Sequence, residues 1–164
     1  YFLEVNPRVQ VEHTITEMIT GVDLVKMGIE VAAGQGLPLQ QAEVKFSGHS
    51  IQCRWNAEDP INFIPSPGKL WDCHFPGGRG VRVDTHAHIG YEMPGCFDSL
   101  LAKLIVWGQD RDEAIAKMRA ALTETTLIGV QTVVPLHLAI LNEPDFIARD
   151  VTIQYLEDHP NLLG

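Results

Sequence analysis

The sequence predicts an α+β fold, and three observations carry that prediction. Short alternating runs broken by Pro and Gly fill positions 50–98, a longer apolar run follows at 100–107, and segments with helical apolar spacing lie on either side. Strands gathered in the middle with helices at the ends differ from the alternating βα units of a parallel sheet.

Along the chain, residues 4–12 alternate polar and apolar, the pattern of an extended strand. Leu24, Val25, Met27, Ile29, Val31 and Ala32 recur at helical spacing, and Gly34-Gln35-Gly36-Leu37-Pro38 supplies a stop. The pattern weakens over 40–46, so a boundary is placed there, with one unit over 1–42 and a second over 43–164. Pro65-Ser66-Pro67-Gly68 and Pro76-Gly77-Gly78 punctuate the short antiparallel strands of the second unit. After the strand at 100–107, Asp110 with Glu113 three residues on reads as an N-cap, and Ile115, Met118 and Leu122 form the stripe of the helix that follows. Thr132 is expected to cap another helix containing Val134, Leu138 and Leu141, and Tyr155-Leu156 to form a closing turn.

The 164 residues carry 21 acidic against 12 basic side chains, a formal charge of -9, which argues against a basic nucleic-acid footprint and a polybasic membrane surface. The apolar run at 100–107 contains Lys103 and is far shorter than the roughly 20 residues of a membrane span. The chain opens on Tyr1-Phe2-Leu3-Glu4-Val5, without an initiator Met or a leader pattern, and is expected to start in mid-structure. Cys53, Cys73 and Cys96 lack the C-x-x-C spacing of a metal clip and are expected to be buried thiols of a reducing compartment, the cytoplasm or an organelle matrix.

Residues two apart share a face of an extended chain, which groups Glu4, Asn6, Arg8, Gln10 and Glu12. An edge strand with a solvated face would carry the same pattern. The chemistry adds a second reading. Glu and Asn oxygens are the hard ligands that Mg²⁺ takes alongside phosphates and waters. The fork of Arg8 suits a small planar oxyanion, and Glu12 could serve as a general base. Metal, anion clamp and base together suggest phosphoryl transfer joined to an acid substrate. Ser50, Gln52, Arg54 and Asn56 form a second alternating face, on which Arg54 could pair with Glu58 or Asp59 or meet a substrate.

Glu4-Val5-Asn6-Pro7-Arg8-Val9-Gln10-Val11-Glu12-His13, with Thr16-Glu17 and Gly21-Val22-Asp23-Leu24-Val25, closely resembles the end of the ATP-grasp region of biotin carboxylases. The resemblance continues through Arg54-Trp55-Asn56-Ala57-Glu58-Asp59-Pro60, Pro65-Ser66-Pro67-Gly68-Lys69, Pro76-Gly77-Gly78, Gly90-Tyr91, Asp98-Ser99-Leu100-Leu101-Ala102-Lys103-Leu104 and Thr152-Ile153-Gln154-Tyr155-Leu156. It implies an ATP-grasp end over 1–42 and the family's C-terminal domain, a small antiparallel sheet with helices, over 43–164.

The resemblance also implies roles. Glu4 and Asn6 match ligands of Mg²⁺ or Mn²⁺, Glu4 lying close to ATP as well. Arg8 matches the catalytic, bicarbonate-binding arginine, with Gln10 and the backbone of Val11 completing that pocket. Glu12 matches the base that deprotonates bicarbonate for attack on ATP, giving carboxyphosphate. Arg54 matches the catalytic arginine at the biotin ureido oxygen, where a fixed cation would stabilise developing charge. Ile153 matches a residue of the adenine pocket, and Arg79 and Arg82 lie near dimer contacts. The implied partners are a biotin carboxyl carrier protein or domain, a carboxyltransferase and a second copy of the enzyme. Asn56-Ala57-Glu58-Asp59-Pro60 and Ser66-Pro67-Gly68 look more like acyl-CoA carboxylase forms, acetyl-CoA carboxylase of fatty acid biosynthesis first among them. The piece alone is expected to be inactive.

Three other signals are set aside. His86 and His88 imitate an H-x-H metal motif, but the barrel that uses it needs about 250 residues. Gly77-Gly78-Arg79-Gly80 precedes a strand rather than the helix a phosphate loop opens. Trp55, Trp71 and Trp107 read as core.

Overall fold

The computed structural model describes residues 1–163; Gly164, the last residue of the second expected unit, lies outside the described residues. Its centre is a three-stranded antiparallel sheet of order β1-β6-β4, formed by His49–Asn56, Leu100–Gly108 and Val81–Thr85. Two short pairs flank it, β2 (Gly68–Lys69) with β5 (Glu92–Met93) and β3 (Asp72–His74) with β7 (Thr126–Ile128). The expected α+β class is therefore observed.

Strand alternation gives the central sheet two unlike faces. Cys53 and Trp55 of β1, Ala102, Leu104 and Val106 of β6, and Val81 and Val83 of β4 point toward helix α3 (Arg111–Glu124). The stripe expected there is buried: Ile115 is 3 % exposed, Met118 0 % and Leu122 1 %. Asp110 caps this helix as expected, its side chain accepting from the Glu113 N–H at 2.8 Å. A second cluster, with Ala57, Leu70, Ala87, Met93 and Leu101, packs under the short pairs. Gly129 is required where β7 ends: at φ 117° a Cβ there would collide with the Lys69 carbonyl.

The other face of the sheet is covered by helix α1 (His13–Thr20), which the alternation analysis did not identify. Thr14, fully buried, donates its hydroxyl to Gln52 Oε1. Helix α2 (Leu24–Ala32) follows, capped by Asp23, whose carboxylate accepts from the Lys26 N–H at 2.8 Å. The connection to β1 contains one 3-10 turn (Gln41–Glu43) and is pinned to both sides, by Ser47 N–H donating to Ile19 O and Trp107 Nε1–H donating to Ser47 O, each at 2.8 Å.

Helix α4 (Val134–Asn142) closes the C-terminal end of β1, an edge strand. Its N-cap Val133 donates its N–H to Asn56 O at 3.2 Å, and His137 Nε2–H donates to Arg54 O at 2.8 Å. Helices α5 (Pro144–Ala148) and α6 (Tyr155–Asp158) complete the fold.

Five expectations are corrected. Residues 4–12 form no strand: no ladder partner meets them among the described residues, and Arg8 N–H donates to Asn6 O at 2.8 Å, a tight turn over Pro7 that breaks the alternation. Thr132 caps nothing, since α4 begins after Val133 without a side-chain cap and carries Pro135 in its first turn. The Tyr155-Leu156 turn is the start of a short helix. Trp71 is 66 % exposed, its ring covered by Lys69 Nζ at 4.9 Å from the centroid. Of the cysteines only Cys53 is buried, its thiol pushed up to about 12 by burial; Cys73 is half-buried and Cys96 lies exposed in a turn.

Candidate active site

The site is assembled where the end of the opening segment meets β1. The turn over Pro7 leaves residues 1–9 exposed, with Asn6 Nδ2 3.5 Å from Glu4 Oε1, so these two side chains stay adjacent. Arg8 is exposed, and its guanidinium donates to Val9 O at 3.4 Å. From Gln10 the chain turns onto the sheet. Glu12 becomes the N-cap position of α1, and its carboxylate accepts from Arg54 Nη2 at 3.1 Å. Thus two expected site residues, 42 positions apart, are in contact.

Both members of that pair are about half exposed, 51 % for Arg54 and 55 % for Glu12. A pair so solvated contributes about 0–1 kcal/mol to stability, so it is not what holds the fold. Arg54 instead borders a cleft of about 490 Å³ shared with Val11, Asn56, His86, Tyr91 and Asp98. Asn56 Nδ2 donates to Ser99 Oγ at 2.9 Å and to Glu58 Oε1 at 3.2 Å, so Glu58 is committed to the cleft wall rather than to Arg54. Asp59 is committed to its own turn, accepting from the Ile61 and Asn62 N–H groups. His86 Nε2 lies 3.1 Å from the Tyr91 hydroxyl, and the His88 ring meets Tyr91 edge-on. No group of three or more His, Cys, Asp and Glu side chains able to hold a metal occurs among the described residues. Gln10 Nε2 is buried and has no hydrogen-bond partner among the described residues of the chain.

Beside fully buried Ile105, this face carries a row of charged side chains. Arg54, Lys103 and Asp84 lie in one cross-strand row, and Arg82 sits one row along. Arg82 Nε donates to Asp84 Oδ1 and its Nη1 to Glu17 Oε2 of α1, both at 2.7 Å. Lys103 Nζ donates to Val11 O at 3.3 Å and pairs with Asp84 Oδ2 at 3.5 Å. Glu12, Glu17 and Asp84 against Arg54, Arg82 and Lys103 make three anions and three cations, so α1 is docked by a neutral set. Burial works against the Asp84 carboxylate, yet the hydrogen bond and charge of Arg82, with Lys103 behind, hold its pKa below the ordinary value. Arg82 is raised in turn, chiefly by its hydrogen bond to Asp84.

Two further expected residues stand elsewhere. Ile153 is fully exposed and is absent from the walls of the Arg54 cleft. Arg79 is exposed, whereas Arg82 is engaged within the chain. Lys103, Asp84 and His137 were not singled out from sequence. A lone lysine inside an apolar strand run was the available signal for the first; the other two depend on packing between distant elements. Burial depresses the pKa of His137, against the opposing effect of its bond to Arg54 O.

Residues 1–40 match the family described as carbamoyl-phosphate synthase L chain, ATP binding domain. Residues 52–158 match the biotin carboxylase C-terminal domain, and the chain belongs to that family. It is 50 % identical to a biotin carboxylase of Haemophilus influenzae over 96 % of this chain and 35 % of that one. It is 48 % identical to biotin carboxylase 1 of Bacillus subtilis over 97 % of this chain and 36 % of that one. The biotin carboxylase domain dimer of Hydrogenobacter thermophilus 2-oxoglutarate carboxylase, solved with MgADP, ADP and bicarbonate, superposes with TM-score 0.97 at 47 % identity, over 100 % of this chain and 36 % of that one. The chain spans about a third of the length of these relatives.

Proposed function

We propose that this chain is the part of a biotin carboxylase that supplies the base, the bicarbonate-binding segment and the biotin-facing arginine. The observation that carries this reading is the Arg54–Glu12 contact at 3.1 Å on the border of an open cleft. It unites a cation and a carboxylate that stability alone does not require.

In this reading Arg8 and Gln10, with the backbone at Val11, bind bicarbonate. Glu12 takes its proton, so that the oxygen can attack the γ-phosphorus of ATP with release of ADP, giving carboxyphosphate. Arg54 then faces the ureido oxygen of biotin and stabilises the charge left when the ring nitrogen loses its proton; Glu12 is placed to accept that proton. Glu4 and Asn6 fit Mg²⁺ or Mn²⁺, being adjacent oxygen-bearing side chains on an exposed segment, and two such ligands leave room for nucleotide phosphates and waters. When bound, the ion would neutralise phosphate charge. Ile153 is assigned to the adenine pocket, which requires a surface that covers it.

The division at 42/43 is proposed as the junction of an ATP-binding unit with the C-terminal domain. The proposed assembly is a homodimer acting with a biotin carrier and a carboxyltransferase in the cytoplasm. The proposed acceptor is an acyl-CoA, on the motifs at 56–60 and 66–68. The test is ADP release by the full-length enzyme with added bicarbonate and free biotin: Arg8→Ala is expected to abolish the biotin-dependent part while MgATP still binds. Wild-type turnover in that variant would overturn the role of Arg8, and turnover by the 164-residue chain alone would overturn its expected inactivity.

A further inference from the structure

Lys103 has a placement that none of the roles above uses. It lies in the central strand β6, directly opposite Arg54 on one side and Asp84 on the other. Like charges on opposed strand positions are destabilising. Its side chain is only 13 % exposed, so the ammonium is largely withdrawn from water. An apolar residue would continue the run at 100–107 without either cost, so the charge answers a local demand.

The demand is visible in the backbone of residues 10–12. Gln10 O accepts from His13 N–H at 3.2 Å and from His13 Nδ1–H at 2.6 Å, and Glu12 O accepts from Ile15 N–H at 3.0 Å. Both carbonyls are held by α1 itself and move with it. Val11 O is held from the sheet, by Lys103 Nζ at 3.3 Å. We propose that Lys103 is a positioning residue. Its ammonium, anchored on Asp84, grips the Val11 carbonyl and fixes the Gln10-Val11-Glu12 segment in the register that sets Glu12 against Arg54. This rests on the role proposed for that segment in bicarbonate binding and proton removal. Lys103 itself does not line the cleft.

The test measures the full-length enzyme's bicarbonate-dependent ADP release with free biotin. Lys103→Met keeps the apolar stem and removes the donor. Its KM for bicarbonate is expected to rise about tenfold, with the KM for ATP unchanged. Lys103→Arg should recover most of that loss, because a guanidinium still donates to a carbonyl. Asp84→Asn, which leaves Lys103 present but unanchored, should raise the same KM about threefold, and it replaces Lys103→Met if that variant fails to fold. A wild-type bicarbonate KM in the folded variant overturns the proposal, as does a loss of thermal stability with unchanged kinetics. Absence of bicarbonate-dependent ADP release from the wild-type enzyme would overturn the underlying function instead.

Discussion

The two faces of the central sheet are built from the same three strands and hold their covering helices by different mixtures of contacts. Toward α3 the contacts are apolar, with Trp55, Leu104 and Met118 fully buried. Toward α1, Ile105 and Thr14 are fully buried as well, but they are ringed by ion pairs whose charges sum to zero. Apolar burial contributes about 25 cal/mol per Å² whatever the orientation of the groups, so the α3 face can supply stability without fixing angles. Ion pairs contribute less net energy, but they specify geometry, and geometry is what a base beside an arginine needs. One face chiefly supplies stability; the other sets the geometry of the proposed base and arginine.

Leu104→Ala should sharpen that division most, costing about 3–4 kcal/mol of unfolding free energy in denaturant titration while residual folded enzyme keeps its kinetic constants. Arg54→Ala is the complementary case: turnover should fall about a hundredfold and the denaturation free energy by less than about 1 kcal/mol. Stability losses for Arg54→Ala as large as those for Leu104→Ala would break the comparison. Arg82→Met is intermediate. It leaves Glu17, 10 % exposed, without its partner, and should cost about 2 kcal/mol after discounting the solvent access of Arg82. The same network gives the α1 face an acid sensitivity. Because the Asp84 pKa is lowered on folding, its contribution is present above the unfolded value of 3.8 and is lost as pH falls through the lower folded value, readable as acid-induced release of α1 by hydrogen exchange.

The smallest effect is expected away from both faces. His159 Nδ1–H donates to Tyr155 O at 2.8 Å and its Nε2 lies 3.3 Å from Asp145 Oδ2. The Tyr155 bond chiefly, with Asp145 adding to it, raises the histidine above its ordinary 6.5. The contribution is therefore full below 6.5 and lost as pH rises through the folded value, so the protection of α6 amides relative to their intrinsic exchange rate should fall over that range. His159→Gln should abolish this pH dependence.

Local chemistry was the legible part. Asp110 caps its helix as expected because a carboxylate beside a free N–H acts within three residues. Alternation placed β1, and a continuous apolar run placed β6, which is buried on both faces. Helix α1 escaped because Thr14, Ile15, Thr16 and Ile19 are β-branched and weak helix formers; it is stabilised by docking, through Thr14 on Gln52 and Glu17 on Arg82. The strand expected at 4–12 failed for the converse reason: an alternating pattern becomes a strand only beside a partner. The residues of the Glu12–Arg54 contact were legible, but the contact itself depends on the turn at Val11 and on the β1–β6 register.

The closure of β1 by α4 has one more consequence. Open sheet edges present unpaired backbone groups on which another chain can add a strand and start aggregation. At the end of β1 that carries Arg54, two outward carbonyls, those of Arg54 and Asn56, are already taken by His137 and Val133. The first turn of α4 therefore guards this sheet edge as well as completing the fold, keeping the stretch beside Arg54 from templating self-association.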